Sequence, residues 1–197
     1  MFKKLFFAVV TLASLNAFAA EQSDLVIHNE LRGLLQGLEN AVNEERYHEL
    51  SAFFHENLRV TTINQEIISS RNEIGEYFDR WFGPDGYLKK VDMKLNADTE
   101  TELYADNTFG IIRGSGIENY ILSDSRYYEM LTRWTATVIK DSDGQWRILS
   151  LHIGTNFLDN PILAEAESSL IYSAAGGLAV GIILILLLSL VWRFVKK

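Results

Sequence analysis

Arg133-Trp134-Thr135-Ala136-Thr137-Val138 and, after a short turn, Gln145-Trp146-Arg147-Ile148-Leu149-Ser150-Leu151-His152 read as the two arms of one hairpin. Bulky apolar and polar residues alternate through the first arm, which is the period of a strand with one buried face. Asp141-Ser142-Asp143-Gly144 joins the arms. Glycine at the left-handed position of such a loop suits a type I turn with a bulge. The strands extend over Tyr127 to Ile139 and Gln145 to Phe157. Pairing Asp141 with Gln145 sets Trp134 opposite His152, Ala136 opposite Ser150 and Val138 opposite Ile148. Those six residues then share one face, with Tyr128, Met130 and Asn156 further along it. A slip of one residue would exchange the faces.

Shorter strand patterns precede the hairpin, over Val91 to Leu95, Glu102 to Tyr104, Thr108 to Arg113 and Ile117 to Leu122. Helical patterns come before them. Ile27, Leu31, Leu34, Leu35, Leu38 and Val42 recur at helical spacing within Leu25 to Asn43. Tyr47 to Glu56 reads as a second, short helix carrying Leu50, Phe53 and Phe54, and Arg59 to Asn64 as a short strand. The third helix opens on Ser70 and Glu73, a capping-box pair that satisfies free donors of the first turn. Its stripe is Ile74, Tyr77, Phe78, Trp81 and Phe82, and Gly83-Pro84 stops it. Three helices followed by a run of antiparallel strands make an α+β domain.

This order of elements, with the hairpin Arg133-Trp134-Thr135 … Asp143-Gly144-Gln145-Trp146-Arg147-Ile148 … His152, resembles the NTF2-like superfamily in its SnoaL-like branch. The resemblance covers roughly Leu25 to Phe157. It implies a cone in which three N-terminal helices pack on a strongly curved antiparallel sheet and leave a pocket between. Such pockets serve isomerases, dehydratases, cyclases and hydrolases, and also proteins that only bind ligands or dimerise, so the fold does not choose a function. In steroid-isomerase-like members a pocket carboxylate is the base and a tyrosine helps hold the enolate. Asp92, Asp106 and Glu118 are candidate acids here, and no motif selects one of them.

Two apolar segments bear on location. Leu170 to Trp192 contains no charged residue. Its 23 residues give roughly 34 Å of helix, enough to cross a bilayer core. It is followed by Arg193, Lys196 and Lys197, which favour the cytoplasmic side. At the other end, Lys3 and Lys4 precede an apolar run and Ala17-Phe18-Ala19, the pattern of a bacterial secretory signal peptide cut after Ala19. The expected organisation is a signal peptide (1–19), a folded domain (20–160), a connector (161–169), a transmembrane helix (170–192) and a cytoplasmic tail (193–197). The chain would then be single-pass in the inner membrane, with the domain facing the periplasm.

All 26 acidic residues lie between Glu21 and Glu167, together with only 13 of the 18 basic ones. An excess of 13 negative charges argues against nucleic acid as partner. With no cysteine there is no disulfide, thiol nucleophile or thiolate metal site. His48 and His55 stand about 10 Å apart along a presumed helix, too far to share an ion. No zinc, phosphate-loop or nucleophile-elbow motif occurs, so no metal or cofactor is expected.

His152 is the leading candidate for catalysis, as a general base or ligand contact on an apolar concave face. Trp134, Tyr128, Met130, Ser150 and Asn156 are the candidate pocket residues around it. In the span, Ser173, Gly177 and Gly181 recur every fourth residue, the spacing of close-packed helix pairs. The sequence thus points to a membrane-tethered module that binds a small apolar ligand or a membrane-protein partner, with homodimerisation open. The alternative is an enzyme doing acid–base chemistry on a small hydrophobic substrate.

Overall fold

The computed structural model describes the backbone of residues 2–196, and the side chains of residues 22, 24–192 and 196. The chain divides after Thr155 into two units. The first contains α1 (Phe2–Asn43), a 3-10 helix (Tyr47–Phe53), β1 (Phe54–Thr61), β2 (Ile67–Ile68), α2 (Arg71–Phe82), β3 (Leu88–Ala97), β4 (Glu102–Tyr104), β5 (Phe109–Leu122), β6 (Tyr127–Lys140) and β7 (Trp146–Thr155). The second contains one helix, α3 (Pro161–Val195).

The seven strands form one curved sheet in the order β2-β1-β7-β6-β5-β3, with β4 added beside β5. All pairs are antiparallel except β1 with β7, which run parallel. The sheet is therefore mixed, which corrects the all-antiparallel expectation. The second helix is also shorter than expected. Phe54 is already extended, because it pairs with Ile148 of β7 and opens β1. Sheet pairing here overrides the local helical pattern.

Ser70 precedes α2 as expected, but the two side chains bond differently from a capping box, and the Ser70 side chain caps no backbone N–H. The Ser70 hydroxyl donates to Glu73 at 3.0 Å, and the other Glu73 oxygen accepts from the Ser69 backbone N–H at 2.8 Å. Tyr47, Phe78 and Phe82 stack where α2 crosses the 3-10 helix, with the Tyr47 and Phe78 rings 4.5 Å apart. The aromatic stripe is core packing.

The expected strands at 108–113 and 117–122 are one strand. Gly114 and Gly116 interrupt the sequence pattern but not the ladder, because they admit neighbours that a side chain would exclude. A Cβ on Gly114 would lie 2.1 Å from Cζ2 of Trp134 and 2.3 Å from the Asn96 carbonyl oxygen. Glycine inside a strand often marks such a close approach.

The hairpin pairs as expected at its closed end, with Asp141 N–H donating to the Gln145 carbonyl at 2.8 Å and Val138 opposite Ile148. The register then shifts by one residue, so Thr137 faces Ser150, Ala136 faces Leu151, Thr135 faces His152 and Trp134 faces Ile153. Leu149 is the extra residue of a β-bulge. Beyond it the expected faces of β7 are reversed, which corrects the proposed neighbours of Trp134 and Ala136. On β6 the inward set is Met130, Thr132, Trp134, Ala136 and Val138, all buried.

Of the expected leader, residue 1 lies outside the described residues, and residues 2–19 fall in the first half of α1, where the side chains lie outside the described set. α1 buries Ile27, Leu31, Leu38, Ala41 and Val42. Asn160 caps α3, accepting from Leu163 N–H at 3.0 Å, with Pro161 in the first turn. The connector and the expected span are thus one continuous helix. Pro161–Trp192 is long and apolar enough to cross a membrane.

Candidate functional site

Between α1 and the concave side of the sheet lies a cavity of about 430 Å³. Leu31, Leu34, Leu35 and Leu38 of α1 form one wall, and Met93 and Leu95 of β3 a second. Ile112, Trp134, Ala136, Val138, Ile148, Leu151 and Ile153 form its floor on β5, β6 and β7. The Trp134 ring presents only apolar surface there, since its N–H is held by the Ser115 carbonyl at 3.1 Å.

Two groups of polar side chains interrupt this lining. One is Glu118 of β5, only 4% exposed. Its carboxyl group accepts from the Thr132 hydroxyl at 2.9 Å and from the Tyr120 hydroxyl. No cation pairs with it among the described residues. Burial pushes the Glu118 carboxyl above its ordinary range, against the opposing pull of the two hydroxyls. Burial and the adjacent Glu118 likewise hold the Tyr120 phenol well above its usual value. Tyr77 on α2 is pushed up to about 12 by burial.

The other group marks the opening. Arg32, Ala97, Thr99 and Glu100 are the exposed members of the lining, so the cavity reaches solvent between α1 and the turn after β3. His28 and Arg32, one helical turn apart, both reach Glu100, at 3.7 and 3.1 Å. The turn is tied back to the sheet by Asp98, which pairs with Arg133 at 3.0 Å and donates its backbone N–H to the Arg113 carbonyl.

Of the residues singled out from sequence, Trp134 lines the cavity. Met130 is buried on the same face of β6, outside the lining. Tyr128 is half-buried and accepts from Arg126 Nη1 at 2.9 Å. The bulge turns Ser150 and His152 to the outer face, where Ser150 donates to the Thr137 hydroxyl at 3.3 Å and His152 is exposed. Asn156 belongs to the second unit and caps the turn after β7, accepting from Leu158 N–H at 3.1 Å. The structure therefore does not gather His152 and Ser150 with Trp134.

Among the three candidate acids, Asp92 pairs with Lys90 at 2.8 Å and Asp106 sits in an exposed turn. Only Glu118 faces the cavity. His28, Arg32 and Glu100 went unnoticed in the sequence. In the second unit, Ser173 and Gly177 are exposed, and nothing lies within 4 Å of a Cβ added at Gly177 or Gly181.

No protein-family model and no curated protein matches this sequence. Solved structures do match. A type-3 hexachlorocyclohexane dehydrochlorinase from Novosphingobium barchaimii aligns with a TM-score of 0.58 at 12% identity, over 68% of this chain and 88% of its own. A type-2 hexachlorocyclohexane dehydrochlorinase aligns at 0.59 and 12% identity, over 68% and 87%. A ketosteroid isomerase-like protein from Erwinia carotovora atroseptica aligns at 0.53 and 11% identity, over 63% and 92%. The domain has the NTF2-like fold. At these identities the likeness is one of architecture, and the NTF2-like domain's chemistry rests on its own residues.

Proposed function

We propose that this NTF2-like domain is a membrane-tethered binding module for a small, largely apolar molecule held in the cavity beneath α1. The single observation that carries the proposal is Glu118, a buried carboxyl group that faces an apolar cavity and pairs with no cation among the described residues. Burying such a group is costly unless it is neutral and hydrogen-bonded. Neutral Glu118, Tyr120 and Thr132 hold three hydroxyl protons between them and make two mutual contacts. One O–H is left to donate, which suits a ligand with an acceptor oxygen on an apolar body. At about 430 Å³ the cavity falls within the range of small-molecule sites, roughly 300–1,000 Å³. α3 supplies the tether, and the cations after Trp192 favour a cytoplasmic tail with the domain on the exported side.

Native mass spectrometry of the full chain in a mild detergent tests this. A small molecule should co-purify and be lost in Ala136→Phe, which fills the cavity from β6, while circular dichroism stays unchanged. Wild-type protein that is bare and takes up no apolar probe would overturn the proposal.

The same observation favours a second reading, acid–base chemistry on the bound molecule. A buried carboxyl group whose pKa is raised by its surroundings is a candidate general acid. Glu118, with Tyr120 beside it, takes the role that sequence assigned to His152. In that case Glu118→Gln retains the ligand and abolishes its conversion.

A further inference from the structure

We propose that the mouth of the cavity selects a carboxylate, so that the ligand is an amphipathic acid whose head displaces Glu100 from Arg32 and His28. This rests on the cavity being a ligand site. The two cationic or potentially cationic groups sit on the helix that forms the cavity wall, one turn apart on the same face. Arg32 reaches solvent, with 57% of its side chain exposed, whereas His28 is inside the rim at 12%. The acid that engages them comes from a turn and is 62% exposed. Of the three, Glu100 is the group that can leave at little cost, because exposed ion pairs contribute little to stability.

A ligand filling the apolar lining must leave its most polar end at this opening. There it meets the guanidinium fork of Arg32, whose planar donors match a carboxylate. Glu100 therefore occupies the position of the ligand's own head group and closes the mouth across α1 until that head arrives. A cationic head would instead have to approach Arg32 and His28 to reach Glu100. A neutral head at the mouth would leave the bridge in place and gain no ionic partner there.

The test uses the full chain in a neutral maltoside detergent, with phenylbutanoate and phenylbutanol as probes. They share one apolar body and differ in the head. Titration calorimetry should show the acid binding on the order of fivefold more tightly than the alcohol, with the difference shrinking as salt is raised. Arg32→Gln should bring the acid down to the alcohol and leave the alcohol unchanged. Glu100→Gln should tighten the acid by a similar factor, because the competing carboxylate is gone. Equal binding of both probes, blocked by Ala136→Phe but indifferent to Arg32→Gln, would overturn the carboxylate mouth and leave the cavity site standing. Failure of both probes to bind would remove the cavity site as well.

Discussion

Asn43 and Met93 exchange two hydrogen bonds across the outer edge of β3. The Met93 N–H donates to Asn43 Oδ1 at 2.7 Å, and Asn43 Nδ2 donates to the Met93 carbonyl at 2.9 Å. One side chain at the end of α1 thus plays the part of a neighbouring strand. One helical turn earlier, Glu39 Oε2 accepts from Leu95 N–H at 2.6 Å. Among the described residues no strand pairs with this edge of β3, and such edges invite pairing with other chains. The two α1 side chains close it and fix the distance between two walls of the cavity.

Replacing Asn43 by alanine strands a backbone donor and acceptor in a half-buried site. Asn43→Ala should cost about 2 kcal/mol in denaturant unfolding of the domain, the sum expected for two lost hydrogen bonds with partial rescue by water. Glu39→Gln keeps an acceptor for Leu95 and should cost less than half of that. A loss under about 0.5 kcal/mol for Asn43→Ala would mean that the edge bonds do not hold α1 on the sheet.

Gly114 and Trp134 are opposed in the β5–β6 ladder, and the indole occupies the space over the glycine. Gly114→Ala should destabilise the domain by about 1–3 kcal/mol through overpacking. Trp134→Leu in the same chain should recover only part of the loss. The Asn96 carbonyl also meets the added methyl, and backbone does not give way as a ring does. Full recovery in the double variant, measured by thermal melting, would show that the backbone contact is relaxed at no cost.

The helical stripe of α1, the start of α2 and the closing turn of the hairpin were legible because each is local. Spacing, caps and turn residues determine them within a few positions. The site was less legible, for two non-local reasons. The Leu149 bulge adds one residue to β7, and sequence alternation on its own cannot count it. A hint was present, since the regular register would set Leu151 and Ile153 opposite Thr135 and Arg133, apolar groups on a charged face. Sliding β7 by one residue places them opposite Ala136 and Trp134, and turns His152 outward. Glu118 was legible as an acid among three. Its selection came from the alternation of β5, in which Ile112, Gly114, Gly116 and Glu118 share the face that meets Trp134. The group at the mouth joins α1 to a turn some seventy residues away. No local pattern carries a contact of that kind.

Alkaline pH should loosen the fold through its buried phenols. Burial pushes Tyr47 and Tyr77 up to about 12 from an ordinary 10, and holds Tyr120 well above its ordinary value. The folded state therefore holds protons that the unfolded chain releases. This contribution is fully present below pH 10 and is lost as pH rises from 10 through the folded values. The denaturant midpoint should fall steeply above pH 10, and less steeply in Tyr77→Phe. Identical slopes in the two proteins would place Tyr77 in contact with solvent.

Glu118 makes the same argument nearer neutrality. Its folded value is raised above the ordinary 4.5, so between the two values the folded protein binds the proton more tightly than the unfolded chain. Stability from this group is complete in acid and declines once pH passes about 4.5, by no more than about 1.4 kcal/mol per pH unit. Other carboxylates run in the opposite direction. Asp98 and Asp141 are held low, Asp98 first by its hydrogen bond from Arg133 and Asp141 by the Ser142 backbone N–H, so they stabilise the fold as pH rises. The total profile therefore mixes both signs. The difference between wild type and Glu118→Gln isolates the buried acid, because glutamine occupies the site without titrating. That difference should grow in favour of Glu118→Gln as pH rises above 4.5 and level off once pH passes the folded value. A flat difference would mean that Glu118 ionises in place, and the cavity would then hold a negative charge that an acidic ligand would have to avoid.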